Sequence, residues 1–117
     1  MIGIILVVLV AILHVYFLVL EMFLWDKPYG MATFGHSEDF ARQSKPLAMN
    51  QGLYNGFLTA GLLWGLSLGE AGKSIVLFFL GCVIVAGVFG GLTVSRRIFF
   101  IQAVPALVAV VLVVLSV

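Results

Sequence analysis

The chain has 117 residues, of which 63% are hydrophobic and 9% charged, with a formal net charge of +1. Soluble domains run at about half apolar and about a quarter charged, and disorder needs low hydrophobicity with high charge, so both classes are excluded. Six Lys and Arg against five Asp and Glu leave no basic footprint for nucleic acid. What remains is an integral membrane protein of one domain, residues 1–117.

The first apolar run covers about residues 2–25, and no Lys or Arg precedes Lys27. A secretory signal needs a basic start, a short apolar core and a small-residue cleavage site. The run lacks the first and last and is too long for the second, so it reads as a retained transmembrane helix. Three further segments, at about 46–68, 74–94 and 98–117, reach the roughly 20 apolar residues needed to cross the hydrocarbon core. The expected fold class is therefore all-α, an integral membrane four-helix bundle.

Every charged residue except Glu21 falls in the connections 26–45, 69–73 and 95–97. The first holds Lys27, Arg42 and Lys45, the second Lys73, the third Arg96 and Arg97. Loops one and three share a side and carry five of the six cations, which places them in the cytoplasm with both termini outside.

Loop one has two halves. Pro28, Gly30 and Gly35 predict irregular chain. Ser37 followed by Glu38 and Asp39 predicts a helix cap and a short amphipathic helix over about 37–45 at the cytoplasmic interface. Pro46 then suits the first turn of the second span. Trp25, Tyr29 and Phe34 fit an interfacial aromatic cluster, and His36 is expected to be a solvated loop residue.

Small residues recur at four-residue spacing: Gly52, Gly56 and Ala60; Gly61, Gly65 and Gly69; Gly87 and Gly91, with Ala86 and Gly90 beside them. Inside lipid such rows are packing surfaces, and the sequence leaves open whether the partner is this chain or another copy. The lone Cys82 has no cysteine to pair with and reads as a small packed residue. Pro105 should kink the Val-rich last span or free a carbonyl near Ile101.

Polar side chains are costly in hydrocarbon and face the protein interior or water. The spans contain seven: His14 and Glu21 in the first, Asn50, Gln51, Tyr54 and Asn55 in the second, and Gln102 in the fourth. His14 and Glu21 are nearly two turns apart on one face, about 10 Å in depth. The four on span two lie within an arc of about 140°. Counting from the loops gives a cytoplasmic-side layer of Glu21, Asn50, Gln51 and Gln102, and a mid-membrane layer of His14, Tyr54 and Asn55. The expectation is that all seven turn inward and meet.

These side chains permit defined chemistry. A carboxyl group in a low dielectric can carry a proton near neutral pH, and an imidazole can share it. Amides and a phenol can hold a polar ligand or a file of water. His14 and Glu21 are too far apart to bind one ion together, so neither a metal nor another cofactor is expected.

The run from His14 through Glu21 to Trp25, the Phe34-Gly35 pair before an acidic turn, the motif Asn50-Gln51-Gly52-Leu53-Tyr54-Asn55-Gly56-Phe57, and Gln102 with Pro105 resemble the small bacterial membrane proteins catalogued as domain of unknown function 1304. The resemblance spans essentially the whole chain. It implies a four-span inner-membrane protein and carries no activity with it.

Two active roles fit the polar set. The first is a homo-oligomeric module that binds or conducts a small molecule, with Glu21 as its anchor. The second is a small membrane enzyme on a lipophilic substrate, with His14 or Glu21 as acid or base and Tyr54 and Asn55 polarising an oxygen. A structural membrane subunit, in which the polar groups only join helices, is the third reading. The expected partners are the lipid bilayer, a small-molecule or lipid ligand, and further copies of the chain.

Overall fold

The computed structural model describes all 117 residues. The chain is all-α: α1 (Ile2–Met22), α2 (Pro28–Phe34), α3 (Glu38–Ser67), a 3-10 turn (Gly69–Gly72), α4 (Lys73–Thr93), α5 (Arg96–Ile98), a π-helical turn (Phe99–Ala103) and α6 (Val104–Val114). Its contacts form two compact units, Met1–Ile12 with Leu58–Val117, and Leu13–Phe57.

Three stretches are long and apolar enough to cross a membrane: Ile2–Met22, Gly69–Thr93 and Arg96–Val114, with hydropathies of 3.0, 2.7 and 2.4. The protein is a multi-pass membrane protein. The expected second span is not among the three. Its residues lie in α3, whose 30 residues are ample in length. Asn50, Gln51, Tyr54 and Asn55 dilute its apolar character.

In the first unit the core is drawn from four helices: Val7, Val10 and Ala11 of α1, Leu62 of α3, Val76, Leu80 and Val83 of α4, and Ala106 and Ala109 of α6. The α4 residues recur at four and three, so one stripe faces inward. The alanines of α6 let it approach closely, as small residues do where lipid offers no hydrophobic drive. Pro105 is accommodated by the π turn, in which the Val104 N–H reaches back to the Phe99 carbonyl. The widened turn lies against Gly87, where a Cβ would stand 2.6 Å from the Ala103 nitrogen.

Loop one, in the second unit, differs from expectation in both halves. Its first half is helical: Pro28 opens α2 in the first turn, and Gly35 closes it in the left-handed conformation at φ 70°, its N–H bonded to the Met31 carbonyl. The supposed breakers are start and stop signals. Gly30 allows α2 to rest on the end of α1, since a Cβ there would fall 1.8 Å from the Leu24 oxygen. In the second half Ser37 caps as expected, its Oγ accepting from the Phe40 N–H at 3.2 Å. The helix it starts does not end near residue 45 but continues through Pro46 to Ser67. Pro46 removes one backbone bond. It is exposed, so the Arg42 carbonyl that it leaves unbonded can be hydrated.

His36 is packed rather than solvated. Its ring lies 4.4 Å from Trp25 and stacks on Phe34 at 5.8 Å. Its Nε2 is 3.1 Å from the Trp25 carbonyl oxygen. A carbonyl only accepts, so Nε2 carries the proton. Trp25 Nε1 also donates to Ser44 Oγ at 2.9 Å, and Lys45 Nζ meets Asp26 Oδ2 at 3.0 Å. The Lys45 ammonium holds the Asp26 carboxyl below its ordinary range. The expected aromatic cluster exists around Trp25 and Phe34, 4.9 Å apart, while the Tyr29 hydroxyl is bonded to that of Tyr16 at 2.6 Å.

Candidate functional site

The second unit brings one face of α1 against one face of α3. The α3 face is made by Gly52 and Gly56. A Cβ on Gly52 would stand 2.5 Å from Met22 Cγ and 3.2 Å from the Leu18 oxygen, and one on Gly56 2.9 Å from Leu18 Cδ1. The partner of this small-residue row is therefore α1 of the same chain. The neighbouring row has another partner in the first unit, where Gly61 faces Phe79 and Gly65 faces Val76 of α4.

This close approach lets Asn55 reach Glu21. Asn55 is buried and its Nδ2 donates to Glu21 Oε1 at 2.5 Å. Glu21 is half-buried. An amide facing a carboxylate gives a charge-assisted bond, stronger than a neutral one. His14, two turns earlier on α1, is 1% exposed and meets Phe17 edge to face at 5.3 Å. Every buried side-chain nitrogen and oxygen in the chain has a hydrogen-bond partner.

Of the seven polar residues expected to turn inward and meet, three are exposed, and one pair, Glu21 and Asn55, is joined by a hydrogen bond. His14 and Asn55 are buried and Glu21 is half-buried, whereas Asn50, Gln51 and Tyr54 are exposed. The reason is angular. The arc of about 140° on α3 is not one inward face, because the glycines mark where α1 sits. Gly52, Asn55 and Gly56 cluster around that direction, and Asn50 and Tyr54 fall on the opposite side. Tyr54 is 53% exposed and packs edge to face on Phe57 at 5.8 Å. Gln102 belongs to the first unit, half-buried within the π turn.

Thr59 is a further buried polar residue, outside the seven. It is 8% exposed and its Oγ1 donates to the Ala11 carbonyl at 3.0 Å. Its hydroxyl is less costly in lipid than an amide, so membrane cost alone does not single it out. Its position one turn after Asn55 was the available signal.

The fold and site define a helical multi-pass membrane protein in which a carboxylate on one helix is bonded to an amide on another. The chain belongs to the family described as protein of unknown function (DUF1304), whose model matches residues 8–114. It is 32% identical over 110 residues to the uncharacterized protein YpaA of Lactococcus lactis subsp. lactis (strain IL1403), an alignment covering 92% of each chain. No solved structure matches it.

Proposed function

We propose that the protein is a four-span inner-membrane module, assembled from several copies, that binds or conducts a small polar molecule along α3. One observation carries this reading: Asn50, Gln51 and Tyr54 are exposed on a helix otherwise fit to cross the bilayer. Lipid tails offer no hydrogen bonds, and each polar group left uncovered there is expensive. Water or a second copy of the chain must meet that face. Glu21 and Asn55, bonded to each other beside it, form the anchor that a polar solute or its proton would use.

Four crossings are supported by the chain ends. The Met1 ammonium and the Ile2 N–H both donate to the Val117 carbonyl, the latter at 3.0 Å, and Lys73 Nζ reaches Ser116 Oγ at 3.2 Å. The two ends and the α3–α4 turn thus lie together, which supports an even number of crossings with α3 among them. The charge bias supports a topology with the ends and that turn outside and loops one and three in the cytoplasm.

The test is swelling of proteoliposomes in glycerol, urea and ammonium acetate. The wild type is expected to admit at least one solute faster than empty liposomes, with Asn50→Ala/Gln51→Ala and Glu21→Gln slowing it about tenfold or more. Rates equal to empty liposomes for all three solutes, together with a monomer on chemical cross-linking, overturn the reading.

A further inference from the structure

We propose that Arg96 and Arg97, at the tip of the α4–α5 turn, hold the headgroup of an anionic phospholipid. The two differ from every other cation of the chain in what surrounds them. Arg42 is bonded to Asp39 and Lys45 to Asp26. Lys27 adds its field to Asp26, and Lys73 is bonded to Ser116. Arg96 and Arg97 are adjacent, exposed, and in salt bridge with no acid.

The turn itself keeps them outward. Ile98 and Phe99 pack onto Gly90 and Gly91 of α4, where added Cβ atoms would stand 2.7 Å from Ile98 Cγ2 and from Phe99 Cβ. The interhelical space is therefore filled, and the guanidinium groups lie outside it. The hydroxyls of the turn are engaged with backbone: Ser95 Oγ accepts from the Arg97 N–H at 3.2 Å, and Thr93 Oγ1 donates to the Phe89 carbonyl at 2.7 Å.

The flanks identify the occupant. Leu92 is 83% and Val94 75% exposed, immediately before the arginines, and Phe100 follows at 62%. Two fixed positive charges with five donors each match a phosphate, and apolar side chains on both flanks match acyl chains. A free phosphate would use only the first feature; a lipid uses both. The bilayer crossed by α4 and α6 supplies such a molecule at this depth, and an anionic leaflet favours each nearby cation by about fivefold in affinity.

The test is thermal melting of the detergent-purified full chain, titrated with phosphatidylglycerol, phosphatidylcholine or inorganic phosphate. Phosphatidylglycerol is expected to raise the melting temperature saturably, while the other two do not. In Arg96→Gln/Arg97→Gln the titration midpoint is expected to shift roughly thirtyfold to higher lipid. Arg42→Gln, which removes a cation already bonded to Asp39, is expected to leave the midpoint in place, and Arg96→Lys/Arg97→Lys to shift it less than the glutamine pair. The exposed positions tolerate these changes, which far-ultraviolet circular dichroism verifies. An unchanged midpoint in the glutamine variant, an equal rise with phosphatidylcholine or inorganic phosphate, or an equal shift in Arg42→Gln overturns the proposal.

Discussion

Asn55 on α3 donates its side-chain amide to the Glu21 carboxylate on α1, joining two helices through residues 34 positions apart in sequence, at a place where neither group is fully exposed. Such a bond has a direction: the amide gives and the carboxylate takes. Asn55→Leu removes the donor and leaves the acid without it, and the expected loss is about 1–2 kcal/mol. Glu21→Gln keeps an acceptor oxygen for the same donor and should lose less than half as much. Unfolding in mixed micelles of increasing denaturing detergent measures both. Equal losses in the two variants would show that the carboxylate is held by something other than Asn55.

The bond depends on the glycine beside it. Gly52 sits against Met22, Glu21 and the backbone of Leu18, so Gly52→Val should push α3 off α1 and destabilise by about 2 kcal/mol or more. Gly81 on α4 is the control, since nothing lies within 4 Å of a Cβ built there. Gly81→Ala should be neutral, or stabilise by up to about 1 kcal/mol through helix propensity. The same micellar unfolding compares them, and a Gly52→Val protein as stable as Gly81→Ala would remove the close α1–α3 approach.

The helical class and three apolar crossings were legible because hydrophobic length is a direct physical demand of the bilayer. The small-residue rows were legible as packing surfaces. Their partners were not, because a four-residue repeat does not say which helix it meets. The same gap undid the inward face of α3: periodicity grouped Asn50, Gln51, Tyr54 and Asn55, but only the position of α1 divides them. Loop one departs from expectation because proline and glycine both break and bound helices. Pro28 and Gly35 bound one, and Pro46, which looked like a boundary, is crossed by one. Packing of Trp25 with His36 depends on α2 folding onto α1, which the Gly30 contact makes possible and which no local signal around His36 announces.

That folded loop is open to optical measurement. Gly30→Ala places a methyl group inside the Leu24 carbonyl, so α2 must lift from the end of α1. In a Trp64→Phe background Trp25 is the remaining indole. Its emission should shift to longer wavelength as Phe34 and His36 leave its ring. Unaltered emission in Gly30→Ala would mean that the aromatic cluster forms without the backbone contact.

The Asp26–Lys45 pair makes stability depend on pH with a definite sign. The Asp26 carboxyl is held below its ordinary value, chiefly by the Lys45 hydrogen bond. A carboxyl lowered in the folded state favours folding above its unfolded pKa of about 3.9 and loses that contribution as pH falls through the folded value. The melting temperature should therefore decline below about pH 4, and Asp26→Asn should flatten that limb while leaving the curve above it parallel to wild type. The pair is partly exposed, so salt should reduce the effect. An acid limb equally steep in Asp26→Asn would mean that the Asp26–Lys45 pair is not its source.

The proximity of the chain ends makes a prediction about sidedness. Three crossings would put Val117 opposite Met1; four return it to the same face, where the Met1 ammonium and the Lys73 side chain meet residues 117 and 116. In a Cys82→Ala background, single cysteines at Glu70, Ser116 and Arg96 should separate into two classes toward a maleimide that cannot cross membranes. Applied to intact spheroplasts, the reagent should modify the first two and spare the third until the membrane is opened. The pattern follows from the proposed topology, in which α3 crosses despite its polar half and loops one and three, which hold five of the six cations, face the cytoplasm. A further cysteine at Glu38, at the start of α3, should behave like the one at Arg96, and its modification from the same side as the Glu70 cysteine would mean that α3 does not cross. Its exposed Asn50, Gln51 and Tyr54 would then lie in water at the surface, with no transmembrane path to line.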